Sequence, residues 1–475
     1  MKRIFLIALV AGLVYFPIIF GFFAQDEWYG FGNYINSGFQ VVSNGLIPGQ
    51  THYVPLAHIF NFLSFFNFGL NYQYYAVSSI VLHMISSVIV YLFIKELTED
   101  DGVSLMTGLL FAISASSYQA TSWVFADTAS HGALIMSVFG SWLFLRFLKN
   151  ENWMIGLLSV VSLLISLLFK EITIGVFIWL GYITWFRSGN KKFVIKASLL
   201  MILMTVLYVL IRFLGVYFHV AKELPSTYMR SYSEAAYTAV TLPIKAIAQS
   251  LIPASQIFRV SYGIADQLKG MVSVKYGTSA FDRLVENNLF DPINVFFFIL
   301  IVQSLVIFWI KDKKMMISLG IPALGWTIIN SFIYVMAPGK LGVIHEIEPR
   351  NLYLPALGIM LYISIFLKSM FKIDRKFVLF FGVYFVFLLF SLENSLSKIV
   401  KEGRVREDIL QQIKSEHPVL TNKTIFYTES DKSFYGLPHN EKILPFQSGL
   451  GQTLMVWYQV SHQLPKEFFM NDYLW

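Results

Sequence analysis

The chain opens MKRIFLIALVAGLVYFPIIFGFFAQDEW (residues 1–28), and the reading of this stretch decides the fold class. Lys2 and Arg3 precede a run from Ile4 to Phe23 with no charged side chain, and the acidic pair Asp26 and Glu27 follows almost at once. About 20 apolar residues are what a helix needs to cross about 30 Å of hydrocarbon while satisfying its own backbone hydrogen bonds. Ten more stretches have the same character: Tyr72 to Ile94, Val103 to Ser117, Ala129 to Leu148, Met154 to Phe169, Ile172 to Phe186, Phe193 to Gly215, Ile293 to Ile310, Met315 to Met336, Leu352 to Leu367 and Phe377 to Leu392. An all-α polytopic membrane protein of about eleven transmembrane helices is the expectation.

Composition points the same way. Of 475 residues, 56% are hydrophobic, including 45 Phe, 25 Tyr and 10 Trp, and only 14% are charged, against about 25% in an ordinary soluble protein. So much apolar surface cannot be hidden in one soluble core, because a globule also needs a polar shell. Soluble enzyme, disordered chain and nucleic-acid binder are all disfavoured. The absence of Cys removes disulfides, thiolate metal sites and Cys nucleophiles. The net charge of +7, from 36 Lys+Arg against 29 Asp+Glu, reads as membrane orientation.

Lys and Arg next to spans accumulate on the cytoplasmic side. With the N-terminus inside, the inner ends and loops hold sixteen of them, from Lys2 to Lys376, and the short outer connections hold three: Lys170, Lys340 and Arg350. One missed span would scramble every later loop, so this bias supports the span assignment together with its direction. A cytoplasmic N-terminus, an extracytoplasmic C-terminus and a multi-pass place in the cell membrane follow. The alternative reading of the first segment, a cleaved signal peptide ending near Ala24, leaves the next loop on the same side.

The expected organisation is a transmembrane domain over residues 1–392, with outer loops at 24–70 and 216–291, and a small extracytoplasmic C-terminal domain over 393–475, α/β or helical. The first outer loop sets Trp28, Tyr29, Phe31, Tyr34, Ile35 and Phe39 among polar residues, as amphipathic interfacial helices do. In the second, an apolar piece from Ala235 to Ile257 contains Pro243 and Pro253 and reads as interfacial or re-entrant. The tail begins helix-like from Ser397 to Ser415 and continues with a strand-like run, Thr424 to Thr428.

Ionisable residues at membrane depth mark function by default. Asp26 and Glu27 sit in a loop without any Lys or Arg, so a distant cation, a metal or a substrate hydroxyl has to relieve their repulsion, unless the loop is simply solvated. Asp127 and His131 are four apart on one helix face, a spacing that also suits a plain Asp–His hydrogen bond. Lys170 and Glu171 occupy an outer turn, as a surface ion pair or as part of a site. Arg212 lies near the outer end of the seventh span, where snorkelling is the bland explanation. His345, Glu346, Glu348 and Arg350 crowd the loop before the tenth span. Together they put carboxylates, imidazoles and fixed cations on one outer face. Carboxylates serve as general bases or metal ligands, and Arg or Lys can hold a phosphate leaving group. A Walker loop, a dinucleotide fingerprint and an HExxH motif are all missing from the sequence.

These residues resemble the GT-C superfamily of membrane glycosyltransferases, especially its protein O-mannosyltransferase-like members. Gln25-Asp26-Glu27-Trp28 is similar to their first-loop acidic motif, and Tyr53-Val54-Pro55-Leu56, Phe68-Gly69-Leu70-Asn71 and His83 to their second-span entry. Phe169-Lys170-Glu171 resembles their Lys-Glu turn, and Glu348-Pro349-Arg350-Asn351-Leu352-Tyr353-Leu354-Pro355 their Glu-Arg-Tyr-Leu-Tyr-Leu-Pro stretch, with Pro349 inserted. The resemblance covers about residues 1–395. It implies transfer of a sugar, with inversion, from a polyprenyl-phosphate carrier in the membrane lipid to a protein or glycan acceptor outside. In that scheme Asp26 is the base or metal-binding carboxylate and Glu27 assists. Arg350, Lys170 and Arg212 hold the lipid phosphate, and Glu171 orients Lys170. Asp127, His131, His345 and Glu348 support the site, and a divalent metal ion is an allowed cofactor, with Asp26 and Glu27 as ligands. The rival readings are a transporter or flippase for lipid-linked sugars, which needs a polar path through the inner half of the bundle, and a cell-surface glycan ligase or polymerase.

Overall fold

A computed structural model describes residues 1–24, 26–46, 53–187, 191–219, 232–268, 289–336, 346–371, 375–419 and 450–458. Among the described residues the regular structure is helical, without strands. Seven helices are long and apolar enough to cross a membrane: Lys2–Phe20, Tyr72–Thr98, Thr128–Asn150, Ser198–Gly215, Asp291–Lys311, Lys313–Val335 and Val378–Glu416. Four shorter apolar helices, Asp101–Ala112, Trp153–Phe169, Glu171–Trp185 and Ala356–Phe371, fall on the remaining expected stretches. The all-α polytopic expectation holds at this level. The short four are below the length of a full span.

Two sharp reversals at one end show how local chemistry sets the bundle. The helix α1 (Tyr72–Thr98) stops at Glu99, in the left-handed region at φ 54°, and Asp100 then caps the next helix, accepting from the amides of Gly102 and Val103. The helix α2 (Val124–Asn150) ends the same way, with Glu151 at φ 50° and Asn152 accepting from Met154. A left-handed residue stops a helix and an Asx cap starts the next. Ion pairs close this end: Arg3 and Lys95 on Asp101 at 2.6 and 3.0 Å, Lys149 on Glu96 and Glu99 at 2.8 and 2.6 Å, and Lys368 on Asp100. This is the end to which the Lys and Arg bias assigns the cytoplasm.

Small residues allow the helices to approach. A Cβ on Gly358 would lie 2.2 Å from the Ala323 carbonyl, and one on Gly132 would lie 2.3 Å from the Phe169 ring. Trp179 and Trp326 sit edge to face between them, each indole donating to a carbonyl, of Pro322 and Leu354 respectively. Such close packing replaces the hydrophobic driving force that lipid does not supply between helices.

At the opposite end, the first outer loop forms α3 (Asp26–Ser37), a short helix Gln40–Gly45, and α4 (Pro55–Phe68). The second expected interfacial piece is a broken pair, Ala235–Leu251 and Ala254–Gln267, bent by 95°. Pro253 stands at the break, whereas Pro243 is accommodated inside the first helix.

The last span does not stop at Leu392. It continues as one 42-residue helix, α5 (Arg375–Glu416), about 60 Å long and so about twice the hydrocarbon thickness. The expected helical start of the tail, Ser397 to Ser415, is therefore the upper half of this helix. It packs against the end of the first span, where Gly403 sits so close that a Cβ would be 2.6 Å from the Phe22 amide nitrogen. Arg406 donates to the Phe23 carbonyl at 2.9 Å, and the helix Leu450–Tyr458 packs against α3. The strand-like run from Thr424 to Thr428 lies outside the described residues.

Candidate active site

Five charged residues from three separate stretches meet at the end of the bundle opposite the ion-paired reversals. The loop after Trp153–Phe169 places Lys170 and Glu171. Ser198–Gly215 brings Arg212, and the single turn Pro349–Leu352, which starts directly after Glu348, carries Arg350. Glu171 Oε1 accepts from the Tyr53 amide at 2.9 Å and lies 3.7 Å from the Arg212 guanidinium, which itself sits 5.3 Å from the Tyr53 ring centre. Arg350 is bound twice to Glu348, at 2.7 and 2.8 Å, and lies 4.1 Å over the Trp123 ring. Lys170 reaches Asn351 Oδ1 at 3.3 Å and Ser130 at 3.4 Å.

The cluster brings three cations together with Glu171 and Glu348, and Glu346 lies beside Glu348. Burial pushes Lys170 down to about 8 and the Arg350 charge adds to this, while Glu348 and Glu171 pull the other way. Three cations face two carboxylates, and no carboxylate is among the hydrogen-bond partners of Lys170 named above. Among the described residues, several buried donors around them have no hydrogen-bond partner: Ser122 Oγ, Trp123 Nε1, Tyr208 Oη and Tyr334 Oη. Trp123 lies under Arg350, Tyr208 feels Glu171 and Arg212, and Tyr334 feels Arg350, Glu171 and Glu348. A buried donor left unpaired costs about 1–3 kcal/mol, so a cluster of them beside three cations is suited to a ligand with several oxygens. Neither composition nor periodicity singles these four out.

The acidic pair of the first loop is placed less symmetrically. Glu27 is 1% exposed, accepts from the Ala24 amide at 3.2 Å and faces the charge of Arg406 on α5. The cation that relieves it is thus more than 370 residues away in sequence. Asp26 begins α3, which packs against α2, the helix that also touches the Arg350 turn. The Asp26 side chain lies outside the described residues, as do the side chain of Asp127 and the whole of His345. His131 is fully buried and its ring nitrogens meet Ser86, Tyr353 and Thr121.

Glu346, next to that loop, is partly buried. Burial and the neighbouring Glu348 push its carboxyl up to about 7, with Lys398 opposing. Among the described residues, no three His, Asp or Glu side chains are grouped as metal ligands. The Asp26 side chain and His345 are not among these residues, and Glu27 is already engaged by Ala24 and Arg406.

No protein-family model and no curated protein matches the sequence. Among solved structures, the chain is similar to the crystal structure of the Archaeoglobus fulgidus oligosaccharyltransferase in the apo form, at 12% identity and a TM-score of 0.49. The match covers 97% of this chain, which spans 64% of the length of that protein.

Proposed function

We propose that this chain is an integral membrane glycosyltransferase of GT-C type, which moves a sugar from a polyprenyl-phosphate-linked donor to an acceptor hydroxyl at the extracytoplasmic rim, with inversion. The observation that carries this reading is the meeting of Lys170, Arg212 and Arg350 at one end of an apolar bundle, beside buried donors without partners among the described residues. A polyprenyl phosphate leaves as a stable anion, so fixed cations supply stabilisation where charge develops and little acid help is needed. An acceptor hydroxyl is a poor nucleophile, and Asp26 is assigned as its base. Glu27, with its carboxylate held against Arg406, is assigned to support the loop rather than to share the chemistry. Glu171 fixes Arg212 and the Tyr53 backbone, and Glu348 fixes Arg350. Protein or glycan acceptors would bind on the loops above, and the donor tail lies in the membrane lipid.

A transport reading needs ionisable groups along the inner half. Among the described residues the ion pairs gather at the two ends, and the buried hydroxyls of Ser87, Thr107 and Ser141 bond to carbonyls of their own helices. The test is turnover: purified protein is incubated with a panel of polyprenyl-phosphate sugars and acceptors, and release of polyprenyl phosphate is measured. Release that depends on Asp26 and Arg350 supports the transferase. Movement of intact donor across a vesicle bilayer without release would replace it with the flippase.

A further inference from the structure

Beneath the cations lies a buried polar group that the proposed reaction does not use. Tyr353 follows directly on the turn Pro349–Leu352 that carries Arg350 and Asn351. Its hydroxyl is 2.8 Å from Nδ1 of His83 on α1 and 2.8 Å from Nδ1 of His131 on α2. All three side chains are essentially buried.

The direction of each hydrogen bond follows from what the ends can do. His83 Nε2 is 3.1 Å from the Ala112 carbonyl, which only accepts, so Nε2 carries the proton and Nδ1 is bare. Tyr353 therefore donates to His83, and its oxygen is left to accept from His131 Nδ1. Ser86 agrees with this: its proton goes to the Leu82 carbonyl at 2.8 Å, so its oxygen, 3.1 Å from His131 Nδ1, also accepts. His131 Nε2 is then the bare nitrogen, facing the Thr121 hydroxyl at 3.4 Å. One directed chain runs from His131 through Tyr353 to His83 and Ala112. Each link uses one proton, and both imidazoles are neutral, as burial without a counter-charge requires.

We propose that this chain is a tether: His83, His131 and Tyr353 are positioning residues that hold the Arg350 turn at a fixed depth between α1 and α2. Leu352 anchors the turn in an apolar cluster with Leu242, Ala246, Val335 and Ile347, and two helices joined through one phenol add a polar fix on its height. Arg350 and Tyr353 are three apart, so they rise and fall together. The tether stands on the distances above; its consequence for donor binding rests on the function proposed in the preceding section.

The test is Tyr353→Phe, which keeps the ring and leaves His83 Nδ1 without a donor. Amide hydrogen exchange of segment 349–355 is expected to speed up about tenfold, while the helix Ala356–Phe371 exchanges as before. Equal change in both segments means general loosening, and no change means no tether; either overturns the proposal. His83→Asn, whose Oδ1 falls near the place of Nδ1, is expected to keep segment 349–355 protected where His83→Leu does not, and it serves if Tyr353→Phe fails to fold. Binding of a short polyprenyl phosphate, used as probe, is expected to weaken about tenfold in Tyr353→Phe but not further when Arg350→Ala is already present. Additive losses would overturn the link to Arg350. Wild-type protein that binds no polyprenyl phosphate would sink the donor reading, with the exchange result still deciding the tether.

Discussion

The Arg350 guanidinium lies 4.1 Å over the Trp123 ring while Glu348 binds it at two nitrogens. Stacked on one face and forked on one edge, the cation is held in a single orientation with other donors still available. Trp123 presents a second opportunity, because its buried indole N–H has no hydrogen-bond partner among the described residues. Trp123→Phe keeps the ring under Arg350 and deletes that donor, so KM for the polyprenyl-phosphate donor is expected to rise about tenfold with kcat little changed. Arg350→Ala is expected to lower kcat by about 10²–10³. Steady-state kinetics of the two variants decide this; identical effects would show that Trp123 serves the cation alone.

The two neighbouring carboxylates of the first loop are expected to fail differently. Asp26→Asn should lower transfer by more than about 10² with unchanged insertion and thermal stability. Glu27→Gln removes a buried charge that faces Arg406 and caps Ala24, so it should cost about 3 kcal/mol of stability first, and activity only through that loss. Thermal melts beside turnover separate the cases. An inactive but fully stable Glu27→Gln protein would exchange the two roles.

Lys170 gives the site a pH limb. Its lowered pKa means that its charge is lost near pH 8 in the free protein, where an ordinary lysine would keep it to about 10.5. Donor affinity should therefore fall as pH rises through about 8. Lys170→Arg, charged throughout this range, should flatten the limb even if affinity at pH 7 is altered. A wild-type profile that stays level to pH 9.5, or a limb that persists in Lys170→Arg, would remove Lys170 from phosphate binding.

Glu346 behaves oppositely in stability. Its folded pKa, raised to about 7, lies above the unfolded value, so its protonated form favours the fold. That contribution is fully present below about pH 4.5 and is lost as pH rises through about 7. Glu346→Gln, neutral at every pH, should be more stable than wild type at pH 8, on the order of 1–2 kcal/mol after allowance for solvent screening, and equal to it at pH 4.5. Melting curves at the two pH values test the sign.

The apolar stretches were legible because a spanning helix has no other way to satisfy its backbone, and each expected stretch coincides with a helix. Lys170, Glu171, Arg212, Glu348 and Arg350 were legible because charge is conspicuous in so apolar a chain. Arg406 was not: it reads as one more basic residue of a polar tail, and only the 42-residue helix brings it to Glu27. Nor was the tether, since His83, His131 and Tyr353 sit in separate stretches, and their link is a matter of helix rotation. Ser122, Trp123, Tyr208 and Tyr334 carry no sequence signal at all, because their significance lies in having no hydrogen-bond partner among the described residues.

The most direct measurement is a map of the protein with a non-transferable polyprenyl-phosphate sugar bound. The account requires the phosphate within ion-pair reach of Lys170 and Arg350, the anomeric carbon open to Asp26, and the tail leaving sideways into lipid. A phosphate seated at the opposite end, among Arg3, Lys95 and Lys149, or a donor remote from Asp26, would contradict it.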